Sequence, residues 1–421
     1  MSGTVPLDGT AIIIGAGQGG GEFATRLRHQ GFAGRIILIG QEVHPPYMRP
    51  PLSKAFLSGE IGVDALLVKL PSAYEKADVE LRLGTRVETI NRHDRNIVLA
   101  DGEILHYDVL VLATGGRPRH LKVPGSELGG IFYLRSIDDV DAMRASFGPG
   151  RRLVIVGGGY VGLEVAAVAT KAGLSVTVLE GAPRVLARVT APEMSAFYER
   201  IHRDKGVDIR TGVAVSGFIE SATAPGSVGG VECGEGEPIP ADFVIVGIGL
   251  IPNIELAEEA GLMVDGGIIV DADSRTTDHH IYAIGDCATY AHHGFLSRKL
   301  RVESVPNAIE QAHAVAATIC GKPVSKATPP WFWSDQYDLK LQMVGISEGY
   351  DQTVVRGTPA DSTFVTFYLH DDKVIAADAV NRPGDFMAAK KMVAEHMRIP
   401  PATLADEAVP LKTVLAAQAA A

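Results

Sequence analysis

Two copies of a dinucleotide-binding α/β unit, followed by an α+β segment, are what this sequence predicts. Three observations lead there. The spacing Gly-x-Gly-x-x-Gly occurs twice, as Gly15, Gly17 and Gly20 and again as Gly157, Gly159 and Gly162. Each time it follows an apolar run and precedes a segment of helical character. Each copy is then closed by the same pattern, an Asp, an apolar run and a glycine, at 108–115 and 242–249, with Pro118 and Pro252 just beyond. From about residue 326 the plan changes to strand-like runs at 364–369 and 373–377 and a helix near 385–396. An internal duplication accounts for the first two observations. The fold class is therefore α/β, with two Rossmann-like domains and a C-terminal α+β domain. The expected boundaries put the first domain at 1–116 and 251–325, the second at 117–250 and the third at 326–421.

The first copy opens on Ala11, Ile12, Ile13 and Ile14, which read as a buried strand. Gly15 permits the tight turn after it, Gly17 lets backbone approach a pyrophosphate, and Gly20 lets the helix pack close to the strand. That helix aims unpaired N–H groups and its positive dipole end at phosphates, and Gly31 is its expected C-cap. A second strand follows at 35–39, and an acid for ribose hydroxyls is expected at its end. Gly40 occupies that place, so Glu42, two residues on, is the candidate. The stretch 44–54 is rich in proline, which excludes a helix until Leu52. It reads either as a rigid surface loop or as a stiff mount for the charges of Arg49 and Lys54. Short alternating runs between Val79 and Leu105, including 81–83, predict a small antiparallel meander with a turn at Asp101 and Gly102. The return strand ends in Ala113, Thr114 and Gly115.

The second copy repeats the order, with Tyr160 and Val161 inside its glycine motif and Gly247, Ile248 and Gly249 at its close. Its second strand ends at Glu180, where an acid bonds ribose hydroxyls and repels a 2′-phosphate. That predicts NADH rather than NADPH, with Arg184 as the group able to loosen the preference. A solvated strand-end acid is the other reading.

Composition limits the rest. A length of 421 residues allows two to three domains. A net charge of −11 argues against a nucleic-acid partner, which would call for a basic face. Three cysteines, Cys233, Cys287 and Cys320, lie far apart with no C-x-x-C, so neither a redox dithiol nor a zinc knuckle can be built locally. Sparse cysteine fits a reducing cytosol, and a cytoplasmic protein is expected, with no signal peptide apparent at the N-terminus. The most apolar stretch, 153–179, carries Glu164, Lys171 and several glycines, and would make a poor membrane span. The pairs His279-His280 and His292-His293 lack a ligand framework, so no metal is assigned.

At this point the chain resembles the two-dinucleotide flavoproteins of the disulfide-reductase fold, in the branch without a redox disulfide. Within that branch it is similar to the putidaredoxin-reductase-type FAD-dependent ferredoxin reductases. The likeness spans nearly the whole chain and is carried by the stretches 49–54, 113–118, 157–164, 281–288, 301–308 and 331–336. It implies FAD in the first unit and NADH in the second. For FAD it implies contacts from Gly15, Gly17, Gly20, Glu42, Arg49, Lys54, Val87, Ala113, Thr114, Gly115, Arg135, Gly285, Asp286, Ser304, Val305 and Trp333. For NADH it implies Gly157, Gly159, Tyr160, Val161, Gly162, Glu164, Glu180, Arg188, Gly247, Ile248 and Gly249. Lys54 and Glu164 would face one another beside the isoalloxazine, and Trp333 would lie near it. A hydrophobic core pair is the alternative for Trp331 and Trp333. The helix from Val305 would turn its N-terminus toward the flavin's pyrimidine edge, where reduction puts negative charge.

The missing thiols bear on mechanism. No cysteine stands between Gly17 and Phe23, where disulfide-active relatives carry a pair, and Cys287 reads as packing. Electrons that reach FAD must then pass directly to an outside acceptor. The resemblance implies a [2Fe–2S] ferredoxin feeding a cytochrome P450 or another oxygenase; a monomer or weak dimer is expected. Ferredoxins are generally acidic, as this chain is, so a local basic patch is needed for steering. The candidates are Arg298, Lys299, Arg301 and Lys412, with Lys390 and Lys391. Two alternatives remain open: a flavoprotein of the apoptosis-inducing-factor type acting through binding, and a reductase of rubredoxin or another acceptor.

Overall fold

The protein is described by a computed structural model covering residues 6–234, 236–290, 299–325 and 328–419. Contacts gather it into two compact units, Met1–Arg49, Val63–Arg117 and Leu250–Pro330 in one and Pro50–Gly62, Pro118–Gly249 and Trp331–Ala421 in the other.

The first unit is built on a five-stranded sheet in the order Ile281–Ala283, Val109–Leu112, Thr10–Ile14, Arg35–Ile39 and Val79–Arg82. Every pairing is parallel. Its strands are almost uniformly apolar because both faces are covered. Ala11, Ile13, Ile36, Leu38, Val109 and Val111 pack on one face with Phe23 and Leu27 of the helix Gln18–His29 and with Ala312 and Val315 of the helix Val305–Ile319. Ile12, Ile14, Ile37, Ile39, Leu110 and Leu112 pack on the other with Val87, Ile97, Leu99 and Leu105. Those last residues belong to the three-stranded antiparallel meander Val87–Asn91, Asn96–Leu99 and Ile104–His106.

One expected element moves. Residues 81–83 are not part of that meander. Val79–Arg82 is the edge strand of the parallel sheet, with Leu81 opposite Leu38. Leu81 supplies the reason, since it packs on the helix-covered face rather than against the meander.

The second unit repeats the plan. Its parallel sheet runs Asp208–Thr211, Ser175–Glu180, Arg152–Val156, Phe243–Val246 and Ile131–Tyr133. A three-stranded antiparallel sheet again covers one face, with Phe218, Val228, Val231 and Ile239 against Val154, Val156, Val244 and Val246. The same unit holds a five-stranded antiparallel sheet in the order Trp331–Gln336, Leu339–Gly345, Lys373–Val380, Thr363–His370 and Gln352–Thr358. The helix Pro383–Ala394 buries Phe386, Ala389, Met392 and Val393. Among the described residues no helix is long and apolar enough to cross a membrane.

Candidate active site

In the first unit the strand Thr10–Ile14 turns at Gly15, whose φ of +114° suits glycine alone. A Cβ there would strike the Ala113 carbonyl, and one at Gly20 would strike the carbonyl of Gly15. Turn, return strand and helix therefore meet in van der Waals contact only because both positions lack a side chain. Gly17 has no neighbour within 4 Å of a Cβ position and is the N-cap of the helix Gln18–His29, with no side chain capping it. Open space thus faces a helix N-terminus with unpaired N–H groups, the arrangement that takes a diphosphate. The residues present fit a dinucleotide.

Around this cradle the polar groups are ordered by one another. Glu42 accepts from Arg49 Nη2 at 2.6 Å and from the Tyr47 hydroxyl at 2.5 Å. Burial pushes the Glu42 carboxyl up, but Arg49 and Tyr47 outweigh it and hold the group below its ordinary value. Burial likewise opposes the Arg49 charge, and the oxygens of Tyr47, Glu42 and Asp286 more than offset it. Thr114 Oγ1 donates to the Asn253 carbonyl at 2.7 Å, and Gly115 and Gly285 take φ of +60° and +75°. The Gly285 N–H donates to Gln311 Oε1 at 2.7 Å. Ser304 Oγ caps the helix Val305–Ile319 by accepting from the Asn307 N–H at 3.2 Å. The Val87 side chain belongs to the apolar core, which leaves its backbone as the part able to meet a ligand. Cys287 is buried, and burial pushes its thiol up, away from the reactive thiolate.

The second unit holds a cradle of the same construction. Gly157 takes φ +112°, and a Cβ at Gly162 would strike its carbonyl. Gly159 is open and N-caps the helix Tyr160–Lys171, with Val161 43% exposed in the first turn. Glu180 accepts from the N–H of Gly158 and of Ala182, both at 2.7 Å, one on each oxygen. Arg184 is committed elsewhere, donating to Ser195 Oγ at 2.5 Å and to the Ala187 carbonyl at 3.0 Å. Gly247, Ile248 and Gly249 follow the return strand Phe243–Val246. Exposed Arg188 reaches within 3.9 Å of a Cβ position at Gly249. Arg135 lies beside the Ser136-capped helix Ile137–Arg144, its N–H donating to Asp139 Oδ2 at 3.0 Å.

In that unit too, Lys54 Nζ lies 2.7 Å from Glu164 Oε2. Glu164 is only 3% exposed, and a buried carboxylate needs partners. It has them: Ser53 Oγ donates to Oε2 at 2.5 Å and Ser334 Oγ to Oε1 at 2.6 Å. Neither serine stands among the site residues read from the sequence. The short 3₁₀ turn Pro50–Ser53 aims Ser53 inward, and Lys54 also donates to the Pro50 carbonyl at 3.1 Å. Trp333 is half-buried, its ring 5.7 Å from that of Trp331. Tyr160 Oη donates to Met343 Sδ at 2.7 Å, and its ring is 5.2 Å from that of Phe332.

The basic candidates are less available than their density in the sequence implies. Arg298 lies outside the described residues. Lys299 pairs with Asp265, and Arg301 pairs with Glu303 at 2.7 Å while donating to the Asp286 carbonyl. Lys390 stands over the Trp331 ring at 4.8 Å, whereas Lys412 is exposed on the helix Leu411–Ala419.

Comparison with known proteins agrees with this construction. Residues 9–312 match the pyridine nucleotide-disulphide oxidoreductase family, and residues 331–415 match the reductase C-terminal domain. The chain is 49% identical to putidaredoxin reductase CamA of Pseudomonas putida, over 96% of this chain and 96% of that protein. The reductase in a covalent putidaredoxin reductase–putidaredoxin complex superposes with a TM-score of 0.95 at 48% identity, covering 98% of this chain and all of that one (100%). The ferredoxin reductase of the CYP199A2 system from Rhodopseudomonas palustris follows at 0.92 and 40%, covering 96% and 99%. The chain thus belongs to the pyridine nucleotide-disulphide oxidoreductase family, in its putidaredoxin-reductase-type branch.

Proposed function

We propose that this chain is an FAD-dependent NADH:ferredoxin oxidoreductase that supplies a [2Fe–2S] ferredoxin of a cytochrome P450 or other oxygenase system. The observation that carries the reading is the pair of open glycine cradles with a lysine–carboxylate pair and no thiol relay, in a chain similar along its length to ferredoxin reductases. Once bound, the two cofactors supply the chemistry, a hydride from nicotinamide to flavin and release of the electrons singly.

The chain's own work is binding and orientation. Gly15, Gly17 and Gly20 with Gly285 and Asp286 hold the FAD diphosphate and sugar region, and Arg49 and Glu42 brace one another beside it. Ala113, Thr114, Gly115, Ser304 and Val305 line the rest of that site, with the Val87 backbone. Gly157, Gly159 and Gly162 hold NADH, Glu180 accepts from its ribose hydroxyls, and Tyr160, Val161, Arg188, Gly247, Ile248 and Gly249 complete the surface. Lys54 keeps a positive charge fixed by Glu164 for the ring chemistry, and Trp333 serves the side from which electrons leave. Of the basic docking candidates, Lys299 and Arg301 are each engaged by a carboxylate, and Lys412 is exposed.

The test is turnover. Protein loaded with FAD is mixed with NADH, cytochrome c and a panel of [2Fe–2S] ferredoxins. Cytochrome reduction that depends on one of them supports the reading, and a rate indifferent to every ferredoxin overturns it.

A further inference from the structure

The helix Pro192–Asp204 buries a histidine, His202, with no exposed surface. Burial pushes its imidazole down, and the hydrogen bond to Gln336 only partly opposes that, so the ring is neutral near pH 7. A neutral imidazole has one donor and one acceptor nitrogen. His202 Nε2 lies 2.9 Å from Gln336 Oε1, and its Nδ1 lies 3.0 Å from the Tyr337 hydroxyl. Gln336 Nε2 donates to Ser334 Oγ at 3.2 Å, and Ser334 Oγ donates to Glu164 Oε1 at 2.6 Å.

The direction of this chain is fixed from its charged end. A carboxylate can only accept, so Ser334 must donate to Glu164 and must accept from Gln336 Nε2. That turns Gln336 Oε1 toward His202, which must carry its proton on Nε2 and accept from Tyr337 on Nδ1. Each dipole points the same way, toward the carboxylate that pairs with Lys54, and such chains strengthen one another in a low-dielectric interior.

The strand Trp331–Gln336 adds a second constraint. Side chains alternate along it: Ser334 and Gln336 are buried, while Trp331, Trp333 and Asp335 are not. The polar chain therefore anchors one face of the strand whose other face presents Trp333. Tyr337, next in sequence, adopts φ +57°, a sparse region for an aromatic residue. Its ring sits 5.0 Å from the imidazole, which gives that conformation a purpose.

Resting on the reading of Lys54 and Glu164 given above, we infer that His202, acting through Gln336 and Ser334, is a positioning residue for hydride transfer: it fixes the Glu164 carboxylate and the strand bearing Trp333 in one arrangement. His202 touches no cofactor in this account.

The test uses the FAD-loaded enzyme and anaerobic stopped-flow reduction by NADH, which separates the limiting rate from the apparent Kd. His202→Leu and Ser334→Ala each lower the limiting rate about tenfold, as loss of positioning does, with the apparent Kd changed less than about twofold. The double variant is no slower than either single one, because both cut the same chain. His202→Gln, which can still donate toward Gln336, recovers most of the rate and guards against a variant that fails to fold. Histidine nitrogen-15 NMR reads the device without turnover: the signal lost in His202→Leu is a neutral ring protonated on Nε2. A proton on Nδ1, an unchanged rate in His202→Leu, or additive losses in the double variant overturn the inference. Glu164→Gln separates the two levels, since a slow Glu164→Gln beside a normal His202→Leu sinks only the role of His202. A normal Glu164→Gln sinks the reading beneath it as well.

Discussion

The two glycine cradles are built alike, yet they place their acid differently, and the reason is a coupled pair of residues. Sheet register makes the positions comparable: Ile14 pairs with Ile39 and Val156 with Leu179. The next residue is Gly40 in the first cradle and Glu180 in the second. A Cβ at Gly40 would come within 2.6 Å of the Ala16 methyl. The residue matching Ala16 in the second cradle is Gly158, whose bare backbone donates to Glu180 instead. One cradle thus spends its space on a methyl group and holds its acid at Glu42, on Tyr47 and Arg49. The other gives that space to the Glu180 side chain itself, held on backbone amides. Two glycine motifs of the same spacing thus seat the neighbouring acid differently, according to the residue beside the first glycine.

The largest effects should come from closing the shared contact. An alanine Cβ pressed on a backbone carbonyl costs about 3 kcal/mol. Gly162→Ala should stay yellow but bind NADH about a hundredfold more weakly, whereas Gly20→Ala should lose its flavin. Visible absorbance and anaerobic NADH titration read both, and the opposite pattern would reverse the assignment of the cradles.

The coupled pair itself comes next. Gly40→Glu should destabilise by about 2 kcal/mol through overpacking, and adding Ala16→Gly should return about 1 kcal/mol of it, a coupling expected of neighbours. Melting temperatures decide the matter. An equal loss with and without Ala16→Gly would absolve the methyl group.

A pH dependence separates the two ways of holding an acid. Burial works against the Glu42 charge, but Arg49 and Tyr47 hold the carboxyl below its ordinary 4.5. A depressed carboxyl contributes stability that is complete above that value and is lost as pH falls through its folded value. Arg49→Met should cost about 1 kcal/mol at pH 6, discounted for partial exposure, and should flatten the acid limb of a melting-temperature profile. An unchanged limb would remove Arg49 from the account. The smallest effect is expected at Arg184, whose Nη1 and Nη2 each already have a partner. Arg184→Ala should leave the ratio of NADH to NADPH rates within about twofold, and a larger change would give it a part in choosing the nucleotide.

The central strands and glycine turns of both Rossmann-like units were legible in the sequence because their cause is local: a buried run, a turn, a helix start. The edge strand Val79–Arg82 was not, since three of its four residues are half-buried and their alternation matches that of a meander. What surrounds Glu164 was hidden for a different reason. Its donors Ser53 and Ser334 stand 111 and 170 positions away, and serine has no periodicity to betray it. The spacing of Ser334 and Gln336 along Trp331–Gln336 is a usable signal in retrospect, two polar residues two apart on the face of a strand opposite Trp331 and Trp333. The basic residues near Arg301 read as a patch because charge can be counted without its partner. Folding pairs Arg301 with Glu303 and Lys299 with Asp265.

The Ala16–Gly40 arrangement also bears on how such a duplicated chain can change over time. An acid introduced first at position 40 collides with the methyl, whereas removing the methyl first relieves that contact. One intermediate is handicapped, so the order of the two substitutions matters: the methyl has to go before the acid arrives. An ordered path of that kind makes it harder for one half of a duplicated chain to drift into the form of the other.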